Sequence, residues 1–123
     1  MLLIDAANVV GSRPTGWWRD RAGAARTFVD QIRAAVDSGR IAQPVVVVLE
    51  GKARAGVPDG LSDDVTILHA AGSGDDMLVD VVAQTSDQQV TLVTADRNLR
   101  RRVEALGGDV VGPRWLLELL ELG

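Results

Sequence analysis

The segment Pro44 to Glu50, PVVVVLE, is a run of β-branched residues with no polar residue alternating among them. A strand half exposed to water alternates apolar and polar side chains, whereas a strand covered on both faces has no need to. This run therefore requires layers above and below its sheet. Met1 to Ala7 (MLLIDAA), Val65 to His69 and Val90 to Thr94 repeat the theme, and each is followed by a segment of different rhythm. In Asp20 to Ser38, residues Ala24, Ala25, Phe28, Ile32, Ala35 and Val36 fall near the three-and-four spacing of one helical face, and Gly39 is a natural stop. Asp75 to Thr85 and Arg97 to Leu106 also read as helices, the second with a buried stripe of Leu99, Val103 and Leu106 and a stop at Gly107 and Gly108. A short strand, Asp109 to Val111, leads through Gly112 and Pro113 into a last helix, Arg114 to Leu122, in which Trp115 is expected in the core. Gly51 to Asp64 has three glycines, one proline and no periodicity, and reads as a surface loop.

Apolar strands alternating with helices predict an α/β fold: three α/β/α layers around a central, mainly parallel sheet, built as one Rossmann-like domain over residues 1–123. Right-handed crossovers make such a sheet doubly wound. Ligands then bind beyond the carboxyl ends of the strands, near the point where strand order reverses.

Acids stand at those ends. Asp5 closes LLID, Asp96 follows the strand TLVTA, and Asp75, Asp76 and Asp80 open a helix after AGSG. Each has an ordinary explanation, since Asp5, Asn8, Asp96 and Asn98 are all good caps of turns and helices, and acids favour a helix N-terminus. Asp80 fits that explanation least. It lies past the first turn and one turn above Asp76, a repulsive pairing unless a cation intervenes. Gathering so much like charge at one sheet edge points to a hard divalent cation. With no cysteine and a single histidine, thiolate zinc is excluded and a His-based zinc site has little to draw on, so oxygen ligands and Mg²⁺ or Mn²⁺ are expected.

The net charge of −4 argues against generic, charge-driven binding to nucleic acid. The basic residues are nevertheless bunched: Arg13, Arg19, Arg21 and Arg26 follow the first strand, and Arg97, Arg100, Arg101 and Arg102 follow Asp96. The guanidinium fork suits phosphate, and solvated helix faces are the competing account. Trp17 and Trp18, in GWWRDR, are assigned to packing, with stacking on unpaired bases as the alternative. His69 is assigned a structural role. The opening MLLID lacks the pattern of a signal peptide and no apolar stretch reaches about 18 residues, so no membrane partner and a cytoplasmic location are expected.

The order of strand-Asp (LLIDAAN), helix-opening acids (GSGDDMLVD) and strand-Thr-x-Asp before a basic helix (LVTADRNLRRRV) resembles the PIN-like nuclease superfamily, most closely its NYN branch, over Leu2 to about Val111. The resemblance implies a five-stranded sheet of order 3-2-1-4-5 and a metal-dependent ribonuclease, of endonuclease type, acting on RNA. It implies Asp5, Asp76 and Asp96 as catalytic acids and Asp5, Asp76, Asp80 and Asp96 as ligands of one or two Mg²⁺ or Mn²⁺ ions. Asn8, Asp75, Asp80 and Asn98 would support them, and Arg13, Arg97, Arg100 and Arg101 would grip RNA. A homodimer and, for a bacterial toxin of the PIN class, an antitoxin-like inhibitor are compatible with the sequence, although no residue points to either. One position departs from the pattern. Many such nucleases carry a further acid two residues after the Thr-x-Asp aspartate, where this chain has Asn98. The alternative reading is accordingly a catalytically weak PIN-like module that binds RNA or regulates.

Other Rossmann-like chemistries find less support. A phosphatase with a nucleophilic first-strand aspartate usually needs a second aspartate at position 7, which is Ala7. A pyrophosphatase would need glutamates clustered on helices, and the chain has only four; a dinucleotide site would need G-x-G-x-x-G after the first strand, which DAANVVGS does not supply.

Overall fold

The computed structural model describes residues 1–62 and 64–121. Strands β1 (Leu2–Asp5), β2 (Val45–Leu49), β3 (Gly60–Ser62), β4 (Val65–His69), β5 (Thr91–Val93) and β6 (Asp109–Val111) form one sheet of order β3-β4-β2-β1-β5-β6. All neighbours are parallel except β3, which runs antiparallel to β4. The five-stranded expectation is thus corrected to six strands, and the remaining five stand in the expected order. The added strand comes from the segment read as a loop. Gly51–Gly56 winds into a 3₁₀ turn, and Gly60–Ser62 doubles back onto β4 as an exposed edge. Three residues exposed on both faces carry no apolar pattern for a reader to detect; Asp63, at the end of that loop, lies outside the described residues.

Burial on both faces follows from the strands themselves. On one side Leu2, Ile4, Val45, Val47 and Ile67 pack on α1 (Ala6–Gly11), α2 (Arg21–Asp37) and α5 (Pro113–Glu121) through Val9, Phe28, Ile32 and Leu116. On the other, Leu3, Val46, Val48 and Leu92 meet α3 (Gly74–Gln84) and α4 (Arg97–Ala105) through Leu78, Val82, Leu99 and Val103. Successive residues of each strand feed opposite layers, which is why alternation is absent. Two expected core residues are exposed instead: Leu106 follows the last turn of α4, and Trp115 projects from the first turn of α5, whose buried stripe runs through Pro113, Leu116 and Leu120. Leu122, the expected end of that helix, lies outside the described residues. No described helix is long and apolar enough to cross a membrane.

Strand order reverses at β1: β2 and β4 are laid down on one side of it, β5 and β6 on the other. The crevice between the carboxyl ends of β1 and β5 is the place where this topology leaves room for a ligand.

Candidate acidic site at the switch point

Asp5 is the last residue of β1, in register with Val48 of β2 and one step beyond the Ile4–Val93 pair with β5. Its carboxylate is only 6% exposed and has no ion-pair partner among the described residues. Oδ1 accepts the backbone N–H of Asn8 at 3.3 Å, capping α1, and Oδ2 accepts the Thr94 hydroxyl at 2.9 Å across the crevice. Burial pushes the Asp5 carboxyl up to about 6; the bonds from Thr94 and Asn8 pull it down, and the nearby charges of Asp75 and Glu50 push it up again. Desolvation wins because two hydrogen bonds cannot replace the water a carboxylate loses on burial.

Thr94 ties the two edges of the crevice together. Its oxygen also accepts the Asp96 N–H at 3.2 Å, while Asn8 Oδ1 accepts the Ala95 N–H at 2.8 Å. The turn after β1 and the turn after β5 are therefore clasped twice. Asp96 then caps α4, its Oδ1 accepting the N–H groups of Asn98 at 2.9 Å and Leu99 at 3.0 Å. The capping account of Asp5 and Asp96 and their position at the site are both true, since one carboxylate has two oxygens.

The third contribution comes from α3, whose N-terminus is fixed by two acceptors: Ser73 Oγ takes the Asp75 N–H at 3.2 Å, and Glu50 Oε2 takes the Gly74 N–H at 2.9 Å. Asp75 is half-buried, and its carboxyl is raised above the usual range by burial, then by Asp96 and Glu50, with Arg102 opposing and Asp76 adding a little. Asp5 thus feels the charge of Asp75 and Glu50, and Asp75 feels that of Asp96 and Glu50. Asp76 takes a different course: its Oδ1 accepts from Arg102 Nη2 at 3.0 Å, with the Asp76 side chain 78% exposed. The cation beside Asp76 is the Arg102 guanidinium from α4, and Asp80 is exposed. Asn98 lies exposed on the first turn of α4.

Glu50 was not singled out by the sequence, although PVVVVLE ends in an acid as LLID does. Position after an apolar strand was the available signal, and it applied equally to both. Thr94 likewise needed the crossing of β5 beside β1 before its hydroxyl had a partner. Among the arginines, Arg97 and Arg101 are exposed on α4, Arg100 pairs with Glu104 at 3.3 Å, and Arg13 donates to Gln31 at 2.9 Å. His69 is structural as expected, its Nε2 donating to the Val57 carbonyl at 2.7 Å.

The donor set, all carboxylate oxygen with one member held in a desolvated position, suits a hard divalent cation. Among the described residues no three Asp, Glu, His or Cys side chains converge as a ready ligand shell. Mg²⁺ commonly keeps several waters and takes only one or two carboxylates.

Thr94→Val removes one of the two bonds that hold down the Asp5 pKa. The Asp5 titration, followed by carboxyl NMR in the metal-free protein, is expected to move upward by on the order of one unit, since a hydrogen bond to a charged group contributes roughly 1.5–3 kcal/mol. An unmoved titration would show that the hydroxyl does not govern Asp5.

The fold is a Rossmann-type α/β domain with a mainly parallel sheet and acids beyond its strand ends. Two solved structures of Rae1 (YacP) from Bacillus subtilis share it. The first aligns with a TM-score of 0.77 at 18% identity over 99% of this chain and 74% of that one. The W164L mutant aligns at 0.72 and 16% over 98% and 74%. At such identity the likeness is one of fold. No protein-family model matches the sequence, and no curated protein matches it.

Proposed function

We propose that this chain is a Mg²⁺- or Mn²⁺-dependent ribonuclease that cleaves RNA internally. The observation that carries the reading is Asp5: a carboxylate buried with no cationic partner among the described residues, at the strand-order switch, with Glu50 and Asp75 adding charge of the same sign. A protein retains such an arrangement at a cost, and a bound cation removes the cost. Asp5 with Glu50, Asp75 or Asp96 would hold the ion. A bound Mg²⁺ or Mn²⁺ supplies charge neutralisation at the scissile phosphate and a water made nucleophilic near neutral pH.

The chain's own residues do the rest. Thr94 and Asn8 hold Asp5 and the β5–α4 turn in a fixed relation, so the acids need not reorganise when the phosphate arrives. Arg97 and Arg101, exposed on α4, would meet flanking phosphates. With Arg100 engaged by Glu104 and Arg13 by Gln31, those two are secondary contributors.

The experiment is cleavage of a labelled RNA with Mn²⁺, with Mg²⁺ and with EDTA. Cleavage with either metal and none with EDTA is the expected result; metal-independent cleavage would overturn the mechanism. Asn98 and the lack of a ready ligand shell favour a second reading, a catalytically weak RNA-binding module. Retained RNA binding with no cleavage under any metal would select it.

A further inference from the structure

Directly beside the acids lies a cleft of about 410 Å³, within the range of roughly 300–1,000 Å³ typical of small-ligand sites. Glu50 and Ser73 form its wall on the acidic side, Leu49 and Val10 line it, and Trp17 and Arg21 close the far side. Trp17 is half-buried and held from two directions. Trp18 stands edge-on to it with ring centroids 6.0 Å apart at 89°, and the Arg21 guanidinium lies 5.4 Å from its ring centre. Arg19 lies 5.8 Å from the centre of the exposed Trp18 ring.

We infer that this cleft receives one unpaired nucleobase of the RNA, next to the phosphate presented to the acids, against the Trp17–Arg21 wall. The inference rests on the nuclease reading for the identity of the chain that enters. Three features select this occupant. The cleft and the acidic site share Glu50, so whatever fills one is continuous with what reaches the other. An apolar space bounded by an aromatic ring and a planar guanidinium matches the flat faces of a base, which stack on either group. Arg21, over the Trp17 ring, puts positive charge on the cleft wall, near where the backbone of a strand with one base inserted must pass. A base can enter only when it is unstacked and unpaired, so single-stranded RNA or a loop is the substrate class, and a continuous duplex is excluded.

The test is binding of a short fluorescent single-stranded oligoribonucleotide in EDTA, where no cleavage occurs, by the parent, by Trp17→Ala, by Trp17→Phe and by Ala24→Met, which narrows the cleft from α2. Loss of one base stack is expected to weaken binding by roughly 5- to 150-fold in Trp17→Ala. Trp17→Phe should keep most of the affinity, and Ala24→Met should lose it with Trp17 in place. An oligonucleotide of the same length with an abasic position should bind the parent as weakly as the intact one binds Trp17→Ala. Affinities within twofold of the parent in both Trp17→Ala and Ala24→Met, with circular dichroism showing both folded, would overturn the inference. Because no metal is present, the result separates from the nuclease reading. Trp17-dependent binding without cleavage in Mn²⁺ supports the cleft and removes the nuclease, whereas cleavage with Trp17-independent binding does the reverse.

Discussion

Asp5→Asn is expected to abolish metal-dependent cleavage, by at least about 100-fold, while making the metal-free protein more stable at neutral pH. A first ligand should matter more than the outer-shell partners of a metal, whose loss typically costs 10- to 100-fold. The gain in stability follows from burial. The Asp5 carboxyl titrates near 6 when folded against an ordinary value of 3.8, so between those values the folded state binds more protons than the unfolded one. Its contribution is most favourable below about pH 4 and is lost as pH rises through about 6. At pH 8 the ionised carboxylate costs about 3 kcal/mol, at roughly 1.4 kcal/mol per unit. Asparagine carries no charge to desolvate and still accepts the Asn8 N–H. Thermal melts in EDTA should therefore show the variant above the parent at pH 8 and level with it near pH 4. Adding Mn²⁺ should raise the parent alone, because only a state that binds the ion gains from it. A variant less stable than the parent at pH 8 would mean that Asp5 holds the fold together.

Glu50→Gln is the second large effect expected. Glutamine keeps an oxygen for the Gly74 N–H, so the start of α3 stays fixed and the fold should lose little. What disappears is a charge that raises both Asp5 and Asp75. In the metal-free protein the Asp5 titration should move down, opposite in direction to Thr94→Val. Cleavage should fall on the order of 10- to 100-fold, with higher Mn²⁺ needed for half-maximal rate. Asp76→Ala provides the contrast: it breaks an exposed ion pair with Arg102, a contact typically contributing about 0–1 kcal/mol. Full activity in Glu50→Gln would leave Asp75 and Asp96 as the only companions of Asp5.

The layers were legible in the sequence because PVVVVLE and LLID admit no exposed face, whereas the strand order came only with the family resemblance. The choice among the acids was not legible. Asp75 and Asp76 are neighbours on one helix, and Asp76 pairs with Arg102 of α4, a contact across 26 residues that the sequence does not display. Glu50 gained its role only when α3 set its first N–H against it. Trp115 and Leu106 were misplaced for a related reason: an aromatic or leucine at the end of a helix carries the pattern of burial without a neighbouring layer to complete it.

The proposed nuclease requires that carboxylates remote in sequence share a divalent cation at the switch point. A crystal grown with Mn²⁺ and measured at the manganese absorption edge tests it directly. The expected result is an anomalous peak bonded to Asp5 and at least one of Glu50, Asp75 and Asp96. Manganese found elsewhere, or Asp5 still bonded only to Thr94 and Asn8 with no ion beside it, would contradict the claim.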